Sequence, residues 1–443
     1  MSRKTFQSFL ISAFLFVFSA LPGFANSNVR IVRLSLADGN VKIDRGTGEF
    51  EKAIVNLPIT QGMKLRTAYD GRAEVEFEDG STLRLASDTS VEFPELSLRD
   101  SGAKLSSMRV TKGTAYVEFT ARKKDELNVQ FGQEEIALTQ AAHLRLGVDE
   151  KGAALAVFKG DLEASGPFGS VEVKKNQTAD FDFSGDNHYT LAKHIQQQPD
   201  DDWDNDQDRY HQQYASKSSS SYSPYSYGTS DLAYYGNFFN APGYGMMWQP
   251  YFVGTGWNPF MDGAWSFYPG FGFGWVSAYP WGWTPYHYGT WAFLPGYGWA
   301  WQPGGAWMPM YTQIAVRSAP AGFVAPRAPT SGAGTIRVGR QSGFTMAGVS
   351  GSKVVIRSNA AGLGVPRGQF SNMAKLSQKV EKSGTVTRTV SSMPSPGFEP
   401  ISSRGGSAGA RGSTRASEPR ASQPHQMSLP SAGTSRSSGS PHK

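Results

Sequence analysis

The chain of 443 residues contains no cysteine. This absence excludes disulfide bonds, thiolate metal ligands, cysteine nucleophiles and the lipidated cysteine of a bacterial lipoprotein. Histidine is scarce, with seven residues in all. Beyond the N-terminus, no stretch is apolar over the roughly 20 residues that a spanning helix needs. Stability must therefore come from a packed core, which a chain of this length can form without cross-links.

The N-terminus has the pattern of a secretory signal peptide. The basic segment Met1–Lys4 precedes the apolar run Phe9–Leu21, and no charge follows until after Ala25. The apolar run is too short to span a bilayer, and small residues precede the predicted cleavage point. We predict a Sec-type signal peptide over residues 1–25, cleaved after Ala25, and no transmembrane segment afterwards. The expected location is periplasmic, extracellular or at the cell surface.

Residues 26–190 alternate between apolar and polar side chains, as β-strands with one buried face do. Ala73–Phe77 and Thr82–Leu85 are clear examples. The Asp79–Gly80 step between them predicts a hairpin, because glycine tolerates the positive φ of a tight turn. Similar runs continue to Val173, so we predict one all-β domain of about ten short strands.

These residues resemble the FecR-like extracytoplasmic domain. The resemblance is carried by Ile59-x-x-Gly62-x-x-Leu65-x-Thr67, by the alternating Gly71–Leu85 hairpin, and by Gly113-x-Ala115-x-Val117. It implies a domain that senses an envelope protein and, in the best-known branch, a cytoplasmic segment that controls a sigma factor. Only Met1–Lys4 precede the hydrophobic run, so we expect no such segment here.

An aromatic repeat follows the β domain. Ten of the eleven tryptophans lie between Trp248 and Trp307, and many are eight residues apart. A period of eight fits one short strand and one tight turn. Pairs such as Trp299 and Trp301 would share one face of a strand. From Ser218 to Ala315 there is no Lys or Arg. We predict an aromatic β-meander over residues 223–312, with the rings as its core.

The stretch Tyr279–Gly289 resembles the Trp/Tyr/Pro-rich module of unknown function that often follows FecR-like domains in bacterial envelope proteins. If the rings are exposed, they offer a surface for a glycan or for self-association, because large aromatic patches mark interfaces. The candidate residues of this surface are Trp257, Trp265, Trp275, Trp281, Trp283, Tyr286, Tyr288, Trp291, Trp299, Trp301 and Trp307.

Residues 191–222 read as a short acidic helix and a serine-rich linker. Trp203, Tyr210 and Tyr214 are spaced to share one helix face, and aspartates crowd the first turns, where the helix dipole favours them. We interpret these aspartates as a solvated face. A calcium loop is excluded because Gln207 and Gln213 stand where it needs glycine and glutamate.

Residues 313–443 are rich in Ser, Gly, Ala, Pro and Arg. From Arg317 onwards there are seventeen Lys and Arg against three Glu. We predict a basic, mostly disordered tail, with one helical pattern at Gln369–Lys382. Its arginines suit either weak attraction to an anionic surface polymer or no fixed partner. Export excludes a nucleic-acid partner.

No enzyme motif stands in a suitable context, and neither His143 nor His287 has an evident carboxylate partner in the sequence. We therefore expect no catalytic residue, no cofactor and no metal site. The leading hypothesis is an exported, non-enzymatic interaction or scaffold protein of the bacterial envelope that binds an envelope protein through its β domain. One alternative is a glycan- or peptidoglycan-binding protein that uses exposed tryptophans. Another is an extracytoplasmic signalling component without its own anti-sigma segment.

Overall fold

A computed structural model describes residues 30–122, 124–184, 188–215, 223–308, 310, 315–332, 334–339 and 353–390. The predicted signal peptide, the serine-rich linker at 216–222 and the chain after residue 390 lie outside these ranges. The described residues are mostly β-structure, as predicted. Among them, no helix has both the length and the apolar character to cross a membrane.

The described residues of the N-terminal domain form seventeen strands in two sheets, which share strand β9. Sheet A is antiparallel and contains, in spatial order, β4 (Pro58–Ile59), β1 (Val32–Asp38), β6 (Arg72–Glu76), β7 (Thr82–Leu85), β9 (Lys104–Phe119), β12 (Ala142–Val148), β13 (Gly152–Lys159), β16 (Thr178–Asp182) and β17 (Tyr189–Ala192). Sheet B contains β3 (Glu51–Lys52), β2 (Val41–Asp44), β5 (Lys64–Thr67), β8 (Ser90–Leu98), β9 again, β10 (Glu126–Phe131), β11 (Glu134–Leu138), β14 (Leu162–Gly166) and β15 (Gly169–Val173).

Strand β9 belongs to both sheets because it changes direction at Gly113. Its first half pairs with β8 and β10, and its second half pairs with β7 and β12. Gly113 has a φ of +88°, and a Cβ there would lie 2.5 Å from the Cα of Thr89. Only glycine tolerates both this positive φ and the close approach of Thr89. This explains the glycine at the first position of the Gly113-x-Ala115-x-Val117 motif.

The two sheets share one apolar core. Val75, Leu83 and Val117 of sheet A and Leu65 and Val129 of sheet B are all fully buried in it. The alternating runs in the sequence are strands, as predicted, and Gly80 has the positive φ expected of the hairpin turn, +92°. The domain has more strands than the predicted ten because some, such as the two-residue β3 and β4, are too short to show a period.

The acidic segment forms helix α1 (Asp201–Ala215), and the predicted apolar face is buried, with Trp203, Tyr210 and Tyr214 inward. The prediction of a solvated aspartate face is wrong for two residues. Asp201 and Asp204 are 7% and 1% exposed, because the helix lies on the polar face of sheet A. The aspartates on the opposite side of the helix are exposed, as predicted.

The second domain begins with helix α2 (Thr229–Tyr235), and two small sheets form its aromatic part. One contains, in order, β18 (Gly236–Ala241), β19 (Gly245–Pro250), β23 (Gly298–Gln302), β22 (Thr290–Leu294) and β24 (Val316–Arg317). The other contains β21 (Gly272–Ser277), β20 (Asp262–Tyr268) and β25 (Thr335–Gly339). Trp299 and Trp301 both lie on β23, as the spacing predicts.

The strand repeat is interrupted between β21 and β22. Trp281 lies outside the strands, and Tyr286 lies in the short helix α3 (Thr284–His287). Pro280 and Pro285 lie within this stretch, and a proline has no N–H to donate to a strand ladder. Pro285 instead occupies the first turn of α3, where its missing N–H costs little.

The chain after residue 312 contributes to this second domain. Residues 353–390 form β26 (Lys353–Arg357), α4 (Met373–Ser383) and β27 (Thr385–Thr389). The helical pattern predicted at Gln369–Lys382 is therefore confirmed. Val354, Ile356 and Val380 are buried in the same cluster as the tryptophans. Folded structure thus extends beyond residue 312, where composition predicts that it ends. Buried apolar residues of segment 353–390 lie in β26 and α4.

Most rings of the predicted aromatic surface are inside the domain. Trp281 stacks on Tyr279 at 5.0 Å between ring centroids and donates from Nε1 to the Ala361 carbonyl at 2.6 Å. Of the eleven candidate residues, only Tyr288 and Trp307 are half-buried, and the other nine are buried. A sugar cannot stack on these nine rings, since the rings already pack against one another.

We predict that acrylamide quenches little of the native tryptophan fluorescence and that the emission is blue-shifted. Ten tryptophans are buried, so Trp307 should supply most of the quenchable signal. Trp307→Phe should remove that signal, whereas Trp203→Phe, at a buried position, should leave it unchanged. Efficient quenching that survives in the Trp307→Phe variant would show that the aromatic core is open to solvent.

Candidate functional site

The polar face of sheet A is buried at β6 and β7, although its alternation predicts a solvent-facing side. Every residue of β6 and β7 is buried. Removing a charged side chain from water costs several kcal/mol unless it is paired and hydrogen-bonded. The charged groups on this face therefore need partners from the segments that cover it. We call the central set the interdomain charge network, and its members are Arg33, Glu74, Glu76, Arg84, Asp231 and Arg367.

Glu74, on β6, is the acceptor at the centre of the network. Its carboxylate accepts hydrogen bonds from Ser35 Oγ at 2.6 Å, Arg367 Nη1 at 2.7 Å and Arg84 Nε at 2.8 Å. His211 Nε2 of α1 lies 3.0 Å away. Burial by itself raises the pKa of Glu74, but the charges of the nearby histidine and arginines outweigh it and hold the pKa well below its ordinary value. Glu74 is therefore ionised.

Asp231 of helix α2 is the corresponding acceptor in the second domain. It lies 2.6 Å from Arg33 Nη2 and 3.2 Å from Arg367 Nε, and it accepts a hydrogen bond from the Tyr210 hydroxyl at 2.7 Å. Burial opposes ionisation of Asp231, yet Arg367 and Arg33 together lower its pKa. Arg367 thus bridges a carboxylate of the first domain, Glu74, and one of the second.

Arg33, on β1, connects the first domain to the backbone of the second. It donates from Nη2 to the Pro280 carbonyl at 2.6 Å and from Nε to Asn56 at 3.0 Å, and it pairs with Glu76 at 3.1 Å. Asn56 continues the contact by donating to the Tyr279 carbonyl at 2.6 Å. Burial raises the pKa of Glu76, and the charge of Arg33 opposes that shift. These directional bonds fix how the two domains meet.

Helix α1 adds its aspartates to the same face. Asp204 Oδ1 accepts from Arg84 Nη1 at 2.6 Å, and Asp201 pairs with Arg145 at 2.6 Å. His143 Nε2 lies 2.7 Å from Asp204 Oδ2. The sequence shows no evident carboxylate partner for His143, because this partner is 61 residues away and belongs to another element. His287 instead contacts a backbone carbonyl, that of Trp283, at 2.9 Å.

Sequence reasoning missed Arg367, which lies in the stretch assigned to the basic tail. Its side chain is 5% exposed. A signal did exist in the charge distribution. The part of the chain before Arg317 carries a net negative charge and the part after it a net positive one, and opposite charges favour contact.

Two family models match this chain. The model described as FecR protein matches residues 63–163, and the model of a family of unknown function, DUF6600, matches residues 229–331. The chain carries a FecR domain followed by a DUF6600 domain. The interdomain charge network joins the two, since Glu74 and Arg84 lie in the FecR match and Asp231 in the DUF6600 match. Arg367 lies outside both matches.

Two crystal structures of a "putative anti-sigma factor" from Parabacteroides distasonis ATCC 8503 are similar to part of the chain. They are 15% and 14% identical to it, with TM-scores of 0.26 and 0.25. Each match covers 30% of this chain and 59% of that chain, which is less than two thirds of its length. Comparison with curated proteins gives no match.

We predict that Arg367→Met destabilises the protein by about 3–5 kcal/mol, because it leaves buried carboxylates without one of their cations. Urea denaturation followed by tryptophan fluorescence measures the change. The matched control is Arg357→Met, at an exposed arginine of β26, which should shift stability by no more than about 0.5 kcal/mol. Equal midpoints for the two variants would contradict a stabilising role for the network.

Proposed function

We propose that the protein is an exported, non-enzymatic scaffold of the bacterial envelope, which binds a protein partner through the FecR domain. In this scaffold the DUF6600 domain is the internal support of the FecR domain. The observation that carries the proposal is that the rest of the chain covers the two polar faces of the FecR domain to different extents. The polar face of sheet A is covered by the chain itself at β6 and β7, whereas the polar face of sheet B is open among the described residues.

The open face is the outer side of sheet B. A row of polar residues crosses seven of its strands. Each residue of the row is the direct cross-strand neighbour of the next one, on the adjacent strand. All of them are exposed or half-buried. We call it the open polar row, and it consists of Lys64, Glu92, Arg109, Gln130, Glu135, Ser165 and Ser170.

The side chains of the open polar row are held in place by one another. Lys64 Nζ lies 2.7 Å from Glu92, and Arg109 Nη2 donates to Gln130 Oε1 at 2.8 Å. A surface of ordered charges of both signs suits recognition of a protein with a complementary pattern, since electrostatic complementarity gives specificity and fast association. The part of sheet A around β6 and β7 is buried and offers no such access, so we expect a partner of the FecR domain to contact sheet B.

The glycan alternative would have to use the two half-buried rings of the predicted surface. Tyr288 and Trp307 lie 6.5 Å apart between ring centroids, and Trp307 also stacks on His287 at 5.5 Å. Both rings are thus partly covered by neighbours. Partner binding through sheet B is therefore the better-supported proposal.

Site-specific photocross-linking in the native bacterium tests it. A photoreactive residue at Thr111, which is exposed on the outer face of sheet B two residues from Arg109, should give one covalent adduct with a protein, identified by mass spectrometry. The matched control position is Gln212, which is exposed on helix α1, and it should give none. Charge reversal by Arg109→Glu should reduce the Thr111 adduct.

Adducts of equal yield from positions 111 and 212, or adducts from position 212 alone, would refute binding through sheet B. Retention on purified sacculi that depends on Trp307 would instead favour the glycan alternative.

A further inference from the structure

Three metal-ligating side chains converge where helix α1 crosses sheet A. His143 on β12 and Glu118 on β9 are direct cross-strand neighbours, and Asp208 reaches them from α1. Their ligand atoms lie within 4.8 Å of one another. The side chains of Glu118, His143 and Asp208 are 23%, 11% and 16% exposed. The group is therefore sheltered but open to an ion from solvent.

The histidine is oriented by a fourth residue. Its Nε2 lies 2.7 Å from Asp204 Oδ2, so an Nε2–H donated to that carboxylate leaves the Nδ1 lone pair for a ligand. Nδ1 faces Glu118 Oε2 at 3.6 Å and Asp208 Oδ2 at 3.8 Å. A carboxylate behind a ligating histidine fixes the tautomer and the ring orientation in metal sites.

The carboxylates are also held through the oxygen that does not face His143. Lys159 lies 3.3 Å from Glu118 Oε1, and Arg84 lies 2.7 Å from Asp208 Oδ1. The ring of Phe158 lies 5.0 Å from the imidazole ring, between centroids, and forms an apolar wall beside it. Each ligand is thus positioned by a neighbour that is not itself a ligand.

We propose that His143 Nδ1, Glu118 and Asp208 bind a divalent zinc ion that fastens helix α1 to sheet A. Ligand atoms about 2.0–2.2 Å from a tetrahedral zinc ion lie about 3.4 Å from each other. The distances from His143 Nδ1 to the two carboxylates, 3.6 and 3.8 Å, therefore need to shorten by only a few tenths of an ångström, and the two carboxylates, which lie within 4.8 Å of each other, need to close by no more than about 1.4 Å. Imidazole and carboxylate are ligands that zinc accepts, and the fourth position is left for water.

Spacing along the helix does not predict this site. The aspartates of α1 fail as a calcium loop in sequence, and His143 shows no evident carboxylate partner there, so the sequence predicts no metal site. The ligands of the zinc site instead come from three elements, of which the helix supplies one. This inference stands independently of the proposed partner binding, because no residue of the open polar row takes part.

Calorimetric titration of the tag-free full chain, stripped with a chelator, with zinc chloride tests the proposal. One ion should bind per chain, and Glu118→Gln should weaken binding at least about tenfold, as losses at metal sites do. Asp206→Asn is the matched control, since it removes the charge of an exposed aspartate on the same helix. Melting in the presence of EDTA identifies any variant that does not fold.

X-ray absorption at the zinc edge needs no variant. It should show a shell of nitrogen and oxygen at about 2.0–2.2 Å with one imidazole. Failure to bind zinc, equal affinity in Glu118→Gln and Asp206→Asn, or a shell with two or more imidazoles would each overturn the proposal. The last result would place the ion at other histidines.

Discussion

The ionised carboxylate of Glu74 constrains the rest of the structure. It is 0% exposed, and a buried carboxylate without partners would protonate or prevent the fold, since burial disfavours the charged form. Its partners come from β1, β7, helix α1 and the loop before α4. Four separate parts of the chain must therefore be in place before this one side chain is satisfied.

The same constraint explains why the two domains form a single unit. The segments that cover Glu74 are coupled to one another, because the cations around it serve more than one acid. Arg84 contacts Glu74, Asp204 and Asp208, and Arg367 contacts Glu74 and Asp231. The aromatic core of the DUF6600 domain holds Asp231 and the 353–390 segment at the required positions. A basic segment that composition assigns to a tail thus completes the core of the molecule.

Local patterns in the sequence predict the parts of the fold that depend on local physics. Alternation predicts the strands of the FecR domain, Asp79–Gly80 predicts its turn, and the spacing of Trp203, Tyr210 and Tyr214 predicts the buried face of α1. The charge network could not be predicted in this way. Alternation shows that Glu74 and Arg84 lie opposite the apolar core, but it does not show what covers them. Glu74 and Arg367 are 293 residues apart, and no periodicity connects them.

We infer that the FecR and DUF6600 domains fold as one cooperative unit through their buried charges. Differential scanning calorimetry of the full chain is the sharpest test of this inference. We expect a single transition whose calorimetric enthalpy equals its van't Hoff enthalpy, as when no intermediate is populated. Two separate transitions, of which only one involves the loss of tryptophan packing, would contradict cooperative folding of the two domains.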